Sequence, residues 1–140
     1  MIRSVQEEDI SQLKTIWESA VINTHDFLKE KDFEFYKENL PYYFSHVELV
    51  GFELEDQLVG FLGVANQNLE MLFIHHDFRR KGIGKTLLDF SIKELNVQFV
   101  DVNEQNQQAV DFYLNKGFQI ISRSDKDGEG KAYPILHLSL

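Results

Sequence analysis

The densest chemistry in the chain is the segment RRKGIGKT, Arg79–Thr86, which follows the apolar run LEMLFI, Leu69–Ile74, and leads into a helical pattern. Four cations, Arg79, Arg80, Lys81 and Lys85, and two glycines, Gly82 and Gly84, gather where a strand hands over to a helix. A helix N-terminus presents unpaired N–H groups and the positive end of its dipole, and glycines let an anion approach that backbone closely. The chain as a whole carries a formal charge of −9, so this cluster runs against the overall balance; a bound polyphosphate supplies a local reason for it. The string GKT at Gly84–Thr86 does not complete a Walker A loop, whose first glycine would fall on Arg79. The dinucleotide fingerprint fails too, because its third glycine would fall on Leu87. What remains is arginine, two variable residues, glycine, one residue, glycine. Taken alone, that pattern is as readily a solvated basic turn as an anion site.

The elements that must hold this loop follow from hydrophobic period. Ile2–Val5 reads as a short strand, and Asp9 can cap a helix with apolar positions Ile10, Leu13, Ile16, Trp17, Ala20 and Val21, ending near Asn23. Asp32–Leu40 reads as a second helix ended or bent by Pro41, with THDFL, Thr24–Leu28, between the two. Val47–Leu54 and Gln57–Val64 form an antiparallel hairpin about Glu55 and Asp56, and Leu69–Ile74 is the next strand. A third helix starts in the glycine loop and buries Ile83, Leu87, Leu88, Ile92 and Leu95. Phe99–Val102 is a short buried strand, and a fourth helix carrying Ala109, Val110, Phe112 and Tyr113 stops at Gly117. Phe118–Ser124 and Ala132–Leu140 close the chain as strands around the turn-rich DKDGEG. The order βααβββαβαββ makes an α/β or α+β sandwich with the glycine loop at a strand's C-terminal end.

Composition narrows the classes of function. With 140 residues, 43% hydrophobic and 26% charged, the chain fits one globular domain spanning residues 1–140. No stretch approaches the ~20 apolar residues a membrane span needs, and the N-terminus lacks a secretory signal, so cytoplasmic residence and no membrane partner are expected. The absence of cysteine excludes disulfides, thiolate metal sites and a cysteine nucleophile. An acidic surface argues against nucleic acid as a partner. His75 and His76 point to opposite faces of an extended segment, and His46 and His137 are scattered, so no metal is expected.

A second block resolves the ambiguity of the loop. VNEQNQQAVDFYLNKGF, Val102–Phe118, combines Asn103, Asn106, Ala109, Phe112, Tyr113, Gly117 and Phe118. With the RxxGxG loop it resembles the GNAT superfamily of acyl-CoA-dependent N-acetyltransferases, whose signature is an Arg/Gln-x-x-Gly-x-Gly/Ala loop followed by an Asn…Ala…Phe-Tyr…Gly-Phe helix. Within that superfamily it is similar to the small bacterial YjaB-type members, through HDFL at His25–Leu28, LFI at Leu72–Ile74, VNEQN at Val102–Asn106 and the pair Tyr133–Pro134. Arg80 stands where a glycine is frequent and His76 where a proline is frequent; both fit a site built on backbone amides and charge.

The resemblance covers essentially the whole chain and implies a mixed, mostly antiparallel sheet flanked by four helices. It implies acetyl-CoA as cosubstrate, with pantetheine along Leu72, Phe73 and Ile74 in a splay between the fourth and fifth strands. The pyrophosphate would rest on Arg79, Arg80, Lys81, Gly82, Ile83, Gly84 and Lys85, with Asn106 beside the pantetheine arm. Tyr113 matches the tyrosine that protonates the departing thiolate, although by spacing alone it is a core aromatic beside Phe112. A backbone N–H of Leu72–Ile74 would polarise the thioester carbonyl. The implied acceptor is a primary amine, on a small molecule or on a protein lysine or N-terminus, attacking directly in a ternary complex.

That amine, with a pKa near ~10.4, must lose a proton. Glu70, the single charge in LEMLFI, is the carboxylate candidate, since period-two spacing puts it on one face with Leu72 and Ile74. His25 is the other, water the third. The family's connection between the first two helices walls the acceptor site, which implies that His25 and Asp26, with Tyr133, meet the substrate. Phe27, Phe33, Phe35, Tyr36, Tyr42, Tyr43 and Phe44 surround this wall and are as well explained by a packed helix pair. A non-catalytic acyl-CoA sensor is the alternative function, and a nucleotide switch built on GKT a third. Acceptor identity and oligomeric state stay open.

Overall fold

The computed structural model describes residues 1–140 and places seven strands in one sheet, ordered β1-β2-β3-β4-β5-β7-β6. The strands are β1 (Ile2–Ser4), β2 (Glu48–Leu54), β3 (Gln57–Ala65), β4 (Asn68–Ile74), β5 (Phe99–Asn103), β6 (Gln119–Ser124) and β7 (Ile135–Ser139). The helices are α1 (Ile10–Thr24), α2 (Glu30–Glu38), α3 (Leu40–Phe44), α4 (Ile83–Glu94) and α5 (Gln107–Asn115), with short 3₁₀ turns at Glu7–Asp9 and His76–Phe78. Every neighbouring pair is antiparallel except β4 and β5.

The hairpins are tight despite lacking Asn-Gly. Glu55 and Asp56 both take positive φ (52° and 65°), as do Asn66 and Gln67 (52° and 66°), the mirror-image turn that matches strand twist. β3 is buried from Leu58 to Val64 because both of its faces are covered. On one face Val59, Leu62 and Val64 join Leu87 and Leu88 of α4 and Val110 of α5. On the other, Leu58 and Phe61 meet Leu13, Ile16 and Trp17 of α1 with Leu40 and Phe44 of α3.

Three local expectations are corrected. A fifth helix exists because Pro41 starts one: α2 ends at Glu38, and the proline occupies the first turn of α3, where its missing N–H costs no hydrogen bond. Asp9 does not cap α1 with its side chain. Its carboxylate instead accepts from the Gln6 N–H at 2.8 Å and from Arg3 Nη1 and Nη2 at 2.9 and 3.1 Å, tying β1 to the turn. The last strand begins at Ile135 rather than Ala132, because Tyr133 closes a turn onto the Lys131 carbonyl and Pro134 has no N–H to give a ladder.

Two features of the sheet prepare the site. The parallel β4–β5 ladder comprises only Asn68↔Phe99 and Leu69↔Val100, so the β5-facing edge of Met71–Ile74 has no strand partner. The β3–β4 register shifts between Gly63 and Val64, pairing Gly63 with Met71 and Val64 with Leu69 and leaving Glu70 as the extra residue of a bulge.

Candidate active site

A cleft of about 480 Å³ opens where β4 and β5 part. Leu72, Phe73 and Ile74 form one wall, the glycine loop and the start of α4 a second, and Asn106, Ala109, Phe112 and Tyr113 a third. Two helix N-termini therefore face one space. Gly82 sits at the entry to α4 with φ +78°, a left-handed conformation that glycine adopts without strain, and its carbonyl accepts from Thr86 N at 3.0 Å. Asn106 caps α5, its Oδ1 accepting from Ala109 N at 3.2 Å. Arg79 is held by Nη2 donating to Gln108 Oε1 at 2.6 Å, a link from the loop to α5. Arg80 takes a positive φ of 63° and, with Lys85, lines the cleft; Lys81 is exposed and does not.

The cleft has the features that an extended, anionic ligand needs. An added Cβ at Gly82 would meet nothing within 4 Å, and one at Gly84 would lie 3.8 Å from Phe112 and 3.9 Å from Ile74, so backbone and open space face each other at the helix start. Above this stands the unpaired edge of Met71–Ile74, able to pair with amides of an extended ligand. Tyr113 is buried, and burial pushes its phenol pKa well above the ordinary value, so the hydroxyl stays protonated.

A second cavity, of about 580 Å³, lies on the other side of β4. Tyr36, Tyr42 and Tyr43 of α2 and α3 line it with Glu70, Met71, Tyr133 and the loop before β7, which contributes Asp127 and Glu129. That loop is latched to the helices: the Tyr36 hydroxyl donates to Asp127 and the Tyr43 hydroxyl to Glu129 at 3.1 Å. The Tyr133 hydroxyl donates to buried Asp32 at 2.5 Å and accepts from Lys29 N at 3.1 Å. Lys131 completes the latch, 3.2 Å from Asp32 and 4.4 Å above the Phe35 ring. DKDGEG is more than a hairpin connection: it contributes Asp127 and Glu129 to this wall, and its turn residues give no sign of how far it reaches.

Tyr133→Phe is expected to lower the melting temperature by about 5 °C at neutral pH. The Tyr133 hydroxyl is the first cause holding the Asp32 carboxyl below the usual carboxylate range, against a desolvation that raises it, with Lys131 helping. A depressed carboxylate stabilises the fold above its unfolded pKa and ceases to as pH falls through the folded value. The gap between variant and wild type in thermal melts should therefore close below about pH 4. A gap that is constant from pH 7 to pH 3 would show the hydroxyl does not act through Asp32.

The predicted site residues separate between the two cavities. Leu72, Phe73, Ile74, Arg79, Arg80, Gly82, Ile83, Gly84, Lys85, Asn106 and Tyr113 line the cleft; Glu70 and Tyr133 line the second cavity. Glu70 does not share a face with Leu72 and Ile74, because the bulge puts it on the side of Met71. Partial desolvation raises its carboxyl pKa and the Asp101 charge adds to this, while a hydrogen bond from Asn68 opposes it. Asp26 is exposed and lines neither space. Of the aromatics, Phe33 stacks on Trp17 at 5.3 Å and Phe44 is core, whereas the three tyrosines face the cavity. His25 and Phe73 line both spaces and mark their junction.

The chain and its fold have known relatives. The profile of the family described as Acetyltransferase (GNAT) domain matches residues 12–132. The chain is 35% identical over 139 residues to the peptidyl-lysine N-acetyltransferase YjaB of Escherichia coli (strain K12), covering 99% of this chain and 95% of that one. It is 24% identical over 132 residues to the peptidyl-lysine N-acetyltransferase YiaC of the same organism, covering 91% and 88%. The solution structure of apo-form YjaB superposes with a TM-score of 0.89 over 99% of this chain and 95% of that one, at 35% identity. The PaiA N-acetyltransferase from Thermoplasma acidophilum, solved in complex with coenzyme A, shares the fold at a TM-score of 0.74 and 23% identity, covering 100% and 98%. The chain belongs to the GNAT acetyltransferases, enzymes that move an acetyl group from acetyl-CoA to an amine.

Proposed function

We propose that this chain acetylates the side-chain amine of lysine in peptides or proteins, by direct attack on acetyl-CoA in a ternary complex. The observation that carries this reading is the meeting of two cavities at His25 and Phe73, one suited to the nucleotide thioester and one to a cationic chain. The 35% identity to a peptidyl-lysine N-acetyltransferase across 99% of the chain supports lysine as acceptor. In this reading the helix starts of α4 and the cations Arg79, Arg80 and Lys85 meet the pyrophosphate, and Lys81 adds only long-range charge. The edge of Leu72–Ile74 pairs with pantetheine beside Asn106, and one of its N–H groups polarises the thioester carbonyl. Glu70, facing the second cavity, attracts the acceptor's ammonium, and Tyr133 holds the wall in place. Asp26 contributes charge at the entrance without touching the acceptor.

Tyr113 donates a proton to the leaving sulfur. Tyr113→Phe is expected to lower kcat by about 10–10²-fold with acetyl-CoA affinity unchanged, a modest loss because a thiol of pKa near ~8.5 already leaves readily. Stopped-flow thiol release and calorimetric binding check the two halves of that statement. The reading as a whole is tested by an acceptor screen resolved by mass: lysine peptides should gain acetyl groups with one free thiol released for each. Amino-terminal peptides, polyamines, amino acids and aminoglycosides form the comparison panel. Acetylation confined to a small amine would sink the lysine assignment, and no acceptor-dependent thiol release with any amine would sink acetyl transfer itself.

A further inference from the structure

We infer that His25 is the general base of the transfer, with Thr24 as the residue that fixes its tautomer. The inference rests on the acetyl-transfer reading above and selects among the groups able to take the amine's proton.

Phe73 and His25 are the two residues common to the cleft and the second cavity, and of them only His25 can accept a proton. Glu70 faces the second cavity alone, on the side of β4 away from Leu72 and Ile74. Tyr113 lines the cleft alone and is kept protonated by burial, which suits a donor and not an acceptor.

A hydrogen-bond chain lies behind the ring. Thr24 Oγ1 lies 2.7 Å from the Ala20 carbonyl and 2.7 Å from His25 Nδ1. A hydroxyl has one hydrogen, and a carbonyl can only accept it. Both contacts are satisfied together only if Thr24 donates to Ala20 and Nδ1–H donates to Thr24. The proton is then on Nδ1, and Nε2 is left with its lone pair. His25 itself is fixed as the residue closing α1, its N–H donating to the Val21 carbonyl at 2.8 Å, with the ring 5.2 Å from Phe27. Burial pushes its pKa down to about 4, opposed by the Asp26 charge, so the ring is neutral and able to accept at neutral pH.

The step balances as follows. The acceptor's ammonium first gives up one proton to water, and the neutral amine then forms its N–C bond to the thioester carbonyl carbon while the C–S bond breaks. The proton that the nitrogen sheds goes to His25 Nε2, at the stage where bonding to carbon has made that nitrogen far more acidic than a free ammonium. The thiolate takes the Tyr113 proton, and solvent exchange returns His25 and Tyr113 to their starting states.

The test compares wild type, His25→Ala, His25→Gln and Thr24→Val in acetyl-CoA-dependent acetylation of a lysine peptide. His25→Ala and His25→Gln should lose about 10²–10³-fold in kcat with acetyl-CoA affinity by calorimetry unchanged. Added imidazole should restore His25→Ala by at least about tenfold, a recovery a merely structural role cannot give. The loss should shrink for a weakly basic acceptor such as a trifluoroethylamine derivative, whose proton leaves more readily. Thr24→Val, which keeps the imidazole and removes the hydroxyl, should lose about tenfold, the worth of one hydrogen bond, without imidazole rescue. Losses under about threefold in both His25 variants, or equal losses for both acceptors with no rescue, overturn the assignment while leaving acetyl transfer intact. A wild-type chain without acceptor-dependent thiol release overturns both.

Discussion

Gly84→Asp should abolish acetyl-CoA binding while leaving the fold intact. Gly84 is the second residue of α4, and a Cβ there would stand 3.8 Å from Phe112 Cζ and 3.9 Å from Ile74 Cγ1, ordinary contacts with two residues of the cleft wall. The side chain therefore has room and enters the cleft. A carboxylate in the first turn of a helix is favourable to the helix itself, so folding stability should be unchanged or slightly higher. Its charge, however, takes the place that the proposed function gives to the phosphates of acetyl-CoA. Two like charges ~4 Å apart at an effective dielectric of ~20 repel by about 4 kcal/mol, and even after screening by salt this predicts at least a ~10²-fold loss of affinity. Gly84→Ser, similar in size and uncharged, should bind nearly as wild type. Calorimetry gives affinity directly, and thermal melts give a second reading: ligand at ~100 times the wild-type Kd adds about 2.7 kcal/mol to wild type and should add no more than about 0.4 kcal/mol to the aspartate variant. Equal loss in serine and aspartate would mean that space, not charge, governs this position.

The legibility of this site differs by kind of residue. The glycine loop, the helix it opens and the helix that carries Tyr113 could be found in the sequence because their placement depends on local spacing, and local spacing survives folding. Glu70 lies on the face opposite to the one its spacing predicts, for the opposite reason. Period-two alternation holds only while the ladder is regular, and the bulge between Gly63 and Val64 is decided by pairing with another strand. Pro41 belongs to the same class: the break falls at Asn39, Leu40 before the proline is itself helical, and a new helix starts there because Leu40 and Phe44 find the core. The acidic wall of the second cavity is a tertiary fact outright. Asp127 and Tyr36 are 91 residues apart, and Glu129 and Tyr43 are 86 apart, so no window of sequence contains either pair. His25 was visible as a candidate; what set it apart, its place at the junction of two cavities and its bond to Thr24, was not.

Gly60→Val joins sheet packing to catalysis and should damage both. By local propensity the change is favourable, since a glycine inside a strand costs ~0.5–1 kcal/mol and valine is a good strand former. The surroundings reverse that sign. A Cβ at Gly60 would stand 2.7 Å from Ile74 Cδ1, 3.3 Å from Ile83 Cγ2 and 3.3 Å from the Phe73 carbonyl oxygen. Ile74 lines the cleft, Ile83 is the first residue of α4, and Phe73 marks the junction of the two cavities. Gly60 is thus the point at which the start of α4 and the end of β4 close onto the sheet. Alanine should be tolerated at a small cost, because its closest neighbour is the movable tip of Ile74. Valine adds two methyls that meet Ile83 and backbone, and overpacking of this kind costs about 1–3 kcal/mol. Because the displaced groups adjoin the loop and the strand edge to which the proposed function assigns pyrophosphate and pantetheine, acetyl-CoA affinity should fall by about tenfold as well, the equivalent of ~1.4 kcal/mol. Urea denaturation of the two variants, paired with calorimetric binding, separates the effects. A valine variant as stable as wild type would mean that Ile74 and Ile83 yield freely; stability lost with affinity unchanged would mean that the loop is held independently of the sheet beneath it.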